Sequence, residues 1–252
     1  MNKIMQLVID NQAAPRSFTV TALDGATRID LYDVIDDYYG VSATAFVSAL
    51  NEIKSGDISL HINSPGGDVF AARAMVAAIS AHPANITAHI DGLAASAASY
   101  VAIACDSVVM QAGSMMMIHQ ASSIVWGNSA DMVQMADLLD KIDSTIIADY
   151  ASKTGKPEAE LLAMMAAETW MTAAEAVDNG FADSIAENPK GKTQNKWNLA
   201  AFANVPKALL EVAAPVEPEP ETPQEPHELA KIGLLMTQSN RNKVALVMAG
   251  IC

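Results

Sequence analysis

Apolar and polar positions recur along this chain with two different periods, and the switches between them mark its elements. Ile58-Ser-Leu-His-Ile-Asn63 alternates every second residue, the pattern of a half-buried strand. Gly66-Gly67 breaks it. Over residues 68–79 the apolar positions Val69, Ala72, Met75, Val76 and Ile79 fall at helical spacing, and Asp68 in the first turn suits the helix dipole. Ile86-Thr-Ala-His-Ile90 predicts a second strand, ended by Gly92, and residues 93–105 a helix of small residues. Short strands follow at 107–111 and 115–119. The strongest helical stripe is Met135, Leu139, Ile142, Ile146 and Tyr150, within a helix expected over 130–150. Pro157 fits the first turn of another helix. Thr172-Ala-Ala-Glu175 reads as a capping box opening a short helix that Gly180 ends. Strands and helices in alternation predict an α/β fold, without choosing among the α/β folds.

This character holds over residues 1–188, the expected folded domain. From 189 to 227 the chain is polar and then dense in Pro and Glu (Pro-Val-Glu-Pro-Glu-Pro-Glu), which predicts an extended linker. Residues 228–252 regain apolar positions and predict a short assembly segment, helical if ordered.

Composition narrows the function classes. Of 252 residues 51% are hydrophobic, enough for one sizeable core. No apolar run reaches the roughly 18 residues of a membrane span. An acidic residue at Asp10 argues against a secretory leader, so the expected compartment is the cytoplasm. A net charge of −14 disfavours nucleic acid as a partner. The two cysteines, Cys105 and Cys252, have no metal-ligand spacing and do not read as a disulfide.

Four pieces carry candidate chemistry. Ile62-Asn-Ser-Pro-Gly-Gly67 lies at a strand-to-helix junction, where glycines and a helix N-terminus can present N–H groups to an oxyanion; alternatively it is an ordinary tight turn. Ser96, in Asp91-Gly-Leu-Ala-Ala-Ser-Ala-Ala-Ser99, sits among small residues that let a peptide approach its hydroxyl, with the Ala97 N–H beside it. Ser99 competes one turn later, and close packing is the plain alternative for either serine. His119 in Met117-Ile-His-Gln120 can serve as a base or be a core histidine. Glu168, just before Trp170, can orient that histidine or be a loop acid. His61 and His89 alternate in strands and are expected to face solvent; His82 follows a helix end and His227 lies in the linker. No Lys or Arg occurs between Arg73 and Lys141, so a Ser–Lys dyad would need Lys141, Lys153 or Lys156. There is no Gly-x-Ser-x-Gly elbow and no phosphate loop.

In order and spacing, Ile-Asn-Ser-Pro-Gly-Gly, Gly-Leu-Ala-Ala-Ser-Ala, Met-Ile-His-Gln and Thr-Trp-Met-Thr-Ala-Ala-Glu-Ala-Val-Asp-Asn-Gly-Phe-Ala-Asp over residues 28–186 resemble the Clp protease proteolytic subunit, ClpP. Ser-Pro-Gly-Gly-Asp-Val-Phe and Glu-Thr-Trp-Met-Thr-Ala resemble most the ClpP-related head maturation proteases of tailed phages and prophages. The resemblance implies a ClpP/crotonase-type fold of stacked β-β-α units with an added, protruding helix. It implies Ser96 as nucleophile, His119 as general base and Glu168 as the triad acid, a departure because the family carries aspartate there. It places the oxyanion donors at the Gly67 and Ala97 N–H groups. It further implies acyl transfer without metal or cofactor, a ring-forming homo-oligomer stacked through the helix at 130–150, and capsid or scaffold polypeptides as substrates of an ATP-independent endopeptidase. Alternatives are a cellular subunit fed by an ATPase unfoldase, a crotonase-like acyl-CoA enzyme that would need no serine–histidine pair, and a protease-dead assembly module.

Overall fold

A computed structural model describes residues 3–11, 14, 16–23, 25–186 and 197–210, all within one compact unit. The Pro/Glu tract, the 228–252 segment, His227 and Cys252 lie outside the described residues. In chain order the elements are α1 (Lys3–Asp10), β1 (Ser17–Leu23), β2 (Ala26–Tyr32), α2 (Ala43–Glu52), β3 (Asp57–Ser64), α3 (Val69–Ala81), β4 (Ile86–Ala95), α4 (Ala97–Ile103), β5 (Ser107–Met110) and β6 (Met115–Ile118). They continue with α5 (Ser129–Thr154), α6 (Glu158–Ala166), β7 (Thr169–Thr172), α7 (Ala173–Asp178), β8 (Ser184–Ile185) and α8 (Lys207–Leu210).

The sheet runs β1-β2-β3-β4-β5-β8, parallel from β2 onward, with β1 antiparallel to β2. Ile58, Leu60 and Ile62 on β3 alternate into the core with Ile86, Ala88 and Ile90 on β4. Helices α3 and α4 cover this face through Ala72, Met75, Ala98 and Val101. The Asp68 carboxylate caps α3 by accepting the Ala71 N–H. The predicted capping box forms at Thr172 and Glu175, and Gly180 follows α7 at φ 80°. The added helix is α5, capped by Asn128 and ended by Gly155 in the left-handed region. Its C-terminal half buries Ile142, Ile146 and Tyr150, whereas Met132, Val133 and Leu138 on its N-terminal half are exposed.

Two expectations are corrected. Residues 93–95 do not begin a helix: β4 continues through Ala95, and α4 starts only at Ala97. Between Ile90 and Ala94 the strand advances four residues while its neighbour β3 advances two, Ile62 to Ser64. The resulting bulge swings the end of β4 off β5 and onto β6, pairing Leu93, Ala94 and Ala95 with Met115, Met116 and Met117. That long-range pairing overrides the helix propensity of the alanines. The second correction concerns the linker expected from 189. Trp197, Leu199 and Phe202 are buried with Leu7, Val8, Val34, Leu93 and Met117 in a second apolar cluster, so at least 197–202 belong to the folded body. Their apolar side chains have a hydrophobic cluster to enter, which the polar residues just before them concealed.

Candidate active site

The β4–β6 pairing explains the distance in sequence between Ser96 and His119. Ala95 faces Met117 across the ladder, and the Ser96 N–H donates to Met117 O at 2.9 Å. Ser96 then follows one strand end and His119 the other. The result is a hydrogen bond of 2.7 Å between Ser96 Oγ and His119 Nε2.

Ser96 occupies the turn from β4 into α4 with φ 54° and ψ −125°, a conformation that side chains other than glycine's rarely adopt. The turn has the sharp strand–serine–helix form that Gly-x-Ser-x-Gly sequences build, here made with Ala94, Ala95, Ala97 and Ala98 instead. Ser99 does not compete for the site. It is buried, donates to Ser96 O at 2.6 Å and pairs with Tyr150 OH at 2.9 Å. Since its one proton goes to the carbonyl, the Tyr150 phenol donates to Ser99 Oγ. The elbow is thereby tied to α5.

The glycine turn leans directly on this elbow. A Cβ on Gly66 would lie 2.8 Å from Ser96 Cβ and 2.9 Å from Ala97 N; one on Gly67, at φ 151°, would lie 2.0 Å from Ile35 O. Only glycine fits at either place. Ile35 bridges this turn, accepting from Asp68 N at 2.7 Å and donating to Gly66 O at 2.9 Å. The N–H groups of Gly67 and Ala97 donate to no described residue and border the same cleft as Ser96. This cleft, of about 500 Å³, has mainly apolar walls that include Val69, Ile142, Ile146 and Phe202.

Glu168 is buried at 8% exposure, with its backbone at φ 51°. Its carboxylate accepts from Asn204 N (2.6 Å), Ala203 N (3.1 Å) and Trp170 Nε1 (3.3 Å). Burial pushes its carboxyl up, but those three donors and the charge of His119 outweigh it and hold it below its ordinary value. Charge-assisted bonds of this kind contribute about 1.5–3 kcal/mol each. The Phe202 ring meets His119 edge-on, 5.6 Å between centroids at 89°, and meets Trp170 at 5.8 Å and 81°. Beyond His119, buried Asp143 of α5 accepts from Ala121 N at 2.7 Å and Gln120 Nε2 at 3.1 Å, fixing the chain that leaves the site.

The other candidates stand apart from this constellation. His61 and His89 were expected to face solvent; instead they stack at 4.7 Å, and His61 Nδ1 bonds Asp91 at 2.7 Å. Burial, then the neighbouring His61, hold the His89 imidazole below its ordinary value. His82 meets Ile53 O. Cys105 is buried, and burial pushes its thiol up to about 12, so it stays protonated. Among the described residues no group of three or more His, Cys, Asp and Glu is placed to hold a metal ion, and no helix is long and apolar enough to cross a membrane.

The sequence profile of Clp proteases matches residues 12–189. This chain belongs to the Clp protease family. The family makes it a serine peptidase with the mixed α/β fold described above. Clp protease proteolytic subunit 1 of Mycobacterium tuberculosis is 33% identical over 136 residues, covering 53% of this chain and 68% of that protein. The proteolytic subunit of Bacteroides fragilis is 29% identical over 179 residues, 68% of this chain and 86% of the relative. That of Porphyromonas gingivalis is 30% identical over 181 residues, covering 68% and 82%. The profile match to this Clp protease stops short of Trp197, Phe202, Ala203 and Asn204. Sequence reading missed these residues; the apolar spacing Trp197, Leu199, Phe202 was the signal present.

Proposed function

We propose that Ser96 is the nucleophile of this serine peptidase, His119 its general base, Glu168 the acid that orients His119, and the N–H groups of Gly67 and Ala97 the oxyanion donors. The observation that carries this reading is the 2.7 Å contact between Ser96 Oγ and His119 Nε2 at a strained strand-to-helix turn. Ser96 Oγ attacks the scissile carbonyl carbon while His119 Nε2 takes its proton. The carbonyl oxygen gains negative charge between the two N–H groups, which cost nothing to reorganise at that moment. The C–N bond then breaks as His119 returns the proton to the leaving amine. Water, deprotonated by His119, cleaves the acyl ester and regenerates Ser96. Labelling of the native protein by a fluorophosphonate, mapped by intact and peptide mass, tests the assignment: modification at Ser96, lost in Ser96→Ala, is expected, and an unlabelled Ser96 refutes it. That result would favour the crotonase-like or protease-dead alternatives.

The substrates are polypeptides, and the apolar walls of the cleft favour apolar side chains next to the scissile bond. The chain acts in the cytoplasm as a ring-forming homo-oligomer, a reading supported by the exposed Met132, Val133 and Leu138 of α5. Two readings of its biology differ in their support. Processing of capsid or scaffold proteins during phage head maturation, without ATP, is favoured by the motif resemblance and by the extra chain beyond residue 189. Work beside an ATPase unfoldase is favoured by its relatives, which are named ATP-dependent Clp protease proteolytic subunits. Co-expression with a candidate scaffold protein, wild type against Ser96→Ala, separates them: scaffold cleavage with no unfoldase present supports the first, and cleavage of folded proteins only with an unfoldase and ATP supports the second.

A further inference from the structure

The residues following the family match return to the active site and touch three of its parts. Trp197, 1% exposed, donates its Nε1–H toward Asn63 O (3.1 Å) and Oδ1 (3.3 Å), at the end of β3 just before the glycine turn. Phe202 lays its ring against His119 and Trp170. Ala203 and Asn204 point successive N–H groups at different oxygens of Glu168, and Asn204 Nδ2 donates to Ala167 O at 3.0 Å. From the other end of the chain, buried Asn11 grips Asn198 in both directions: it accepts the Asn198 N–H at 2.5 Å and donates to Asn198 O at 2.9 Å.

We infer that residues 197–204 are a positioning strap for the peptidase reaction, with Phe202 the residue that holds the His119 ring in line with Ser96. The inference rests on the roles proposed above for Ser96, His119 and Glu168. A segment that only filled space would bury its side chains in the core and leave its N–H groups to water or to its own turns. Here two successive N–H groups converge on one carboxylate, and the aromatic ring between them and Leu199 packs on the imidazole. Glu168 Oε1 accepts from both Asn204 N and Trp170 Nε1, whereas Oε2 accepts the Ala203 N–H and keeps a second lone pair, so the strap fixes the carboxylate without using up the capacity of Oε2 to face His119. Glu168 sits at φ 51°, a backbone state that persists only where surrounding contacts over-determine it, and the strap supplies those contacts. Phe202 stands perpendicular against the His119 ring and limits its rotation about χ2, which is otherwise broad and soft for an imidazole. A base displaced by about 1 Å loses up to about a hundredfold in rate. Phe202 is therefore a positioning residue and takes no proton itself.

The test uses the full chain, a fluorogenic leucyl amide as substrate and a fluorophosphonate as site label. Phe202→Ala is expected to lower kcat about tenfold to a hundredfold with KM within about twofold, and to slow Ser96 labelling in parallel. Phe202→Leu, which restores bulk over the ring, is expected to recover most of kcat. Asn11→Ala, which releases the strap at Asn198 without touching the reacting groups, is expected to lower kcat in the same direction. Unchanged kcat in Phe202→Ala and Asn11→Ala overturns the inference. So does a Phe202→Ala loss that appears in KM alone or that Phe202→Leu leaves unrecovered. Should Phe202→Ala fail to fold, Phe202→Leu and Asn11→Ala carry the decision: a fall in kcat at unchanged KM in Asn11→Ala supports the strap, and an unchanged kcat overturns it. Wild-type protein that never labels at Ser96 marks the failure of the underlying roles, and the strap falls with them; wild-type labelling with unaffected variants marks the failure of the strap alone.

Discussion

Ser96 Oγ lies 2.7 Å from His119 Nε2 because Ala95 and Met117 are partners on neighbouring parallel strands. One ladder step thus delivers both groups to the same cleft. The arrangement depends on the positive φ of Ser96, whose backbone strain is of the order of 1–3 kcal/mol. Ser96→Ala is expected to reduce peptide hydrolysis by a factor on the order of 10⁶ while keeping the fold. Ser96→Gly is expected to be equally inactive yet more stable, by about 1 kcal/mol, since glycine relieves the strain but costs some unfolded-state entropy. Kinetics paired with chemical denaturation of the three proteins checks both expectations. A Ser96→Gly protein less stable than Ser96→Ala would show that the elbow stores no strain.

The glycine turn tolerates no side chain at either position. In Gly67→Ala the new methyl would sit 2.0 Å from Ile35 O, so the turn must move away from the bridge that aims its N–H. The expected result is a loss of kcat of about 10²–10³, the usual cost of one oxyanion donor, together with destabilisation of about 1–3 kcal/mol. In Gly66→Ala the methyl would press on the Ser96 Cβ and the Ala95 carbonyl, so the serine itself is displaced. Steady-state kinetics with thermal melts distinguishes the two. Full activity in Gly67→Ala would exclude its N–H from the reaction.

How far the site was legible before its structure depended on how local each part is. The glycine pair, Ser96 with Ala97, and His119 each sit in a short motif whose residue types carry their own constraint, and the parallel ladder then brings Ser96 and His119 together. The helix of α5 and the Thr172–Glu175 cap were readable because their periods and caps are written within one element. The end of β4 was not, because Ala94 and Ala95 favour a helix in isolation and become strand only through pairing with Met116 and Met117. The strap was hidden for a related reason. A polar run precedes Trp197, and the apolar cluster that receives Trp197, Leu199 and Phe202 is assembled from Leu7, Val34, Leu93 and Met117, residues scattered through the chain. The acid at 168 was visible, but the N–H groups of Ala203 and Asn204 that hold it are backbone atoms with no signature in the sequence.

The link between α5 and the elbow can be broken with one atom. Burial pushes the Tyr150 phenol far up, so it remains a neutral O–H and donates to Ser99 Oγ. Tyr150→Phe keeps the ring contacts with Phe181 and Tyr100 and removes only that donor. The expected cost is about 1–2 kcal/mol of stability. Ser99 still donates to the Ser96 carbonyl but loses its own anchor, so kcat is expected to fall by a few-fold, well short of the Ser96→Ala loss. Equilibrium unfolding and kinetics on the same preparation read both. A variant as stable and active as wild type would leave Ser99 as packing and sever α5 from the elbow.

Glu168 ties the chemistry to acid stability. Burial alone would raise its carboxyl, but the N–H groups of Asn204 and Ala203, the Trp170 indole and the charge of His119 bring it below its ordinary 4.5. A carboxyl lowered in the folded state adds stability that is present in full above its unfolded value and is lost as the pH falls through the folded one. The wild type is therefore expected to lose a portion of its stability as the pH drops below about 4.5, and Glu168→Gln to lack that portion. The difference between their unfolding free energies, measured from about pH 6 down to about pH 3, should shrink steadily toward the acid end. With Glu168 as the acid proposed to orient His119, the amide of Glu168→Gln would lack the charge that supports a protonated imidazole, and kcat is expected to fall about 10²–10⁴-fold at neutral pH. Glu168→Asp keeps the charge and suits the positive φ, yet its shorter arm withdraws the carboxylate from the Ala203 and Asn204 N–H groups, so an intermediate kcat is expected. A pH-independent stability difference would mean that Glu168 is not held ionised by the strap. Undiminished kcat in Glu168→Gln would pass the acid's role to another group.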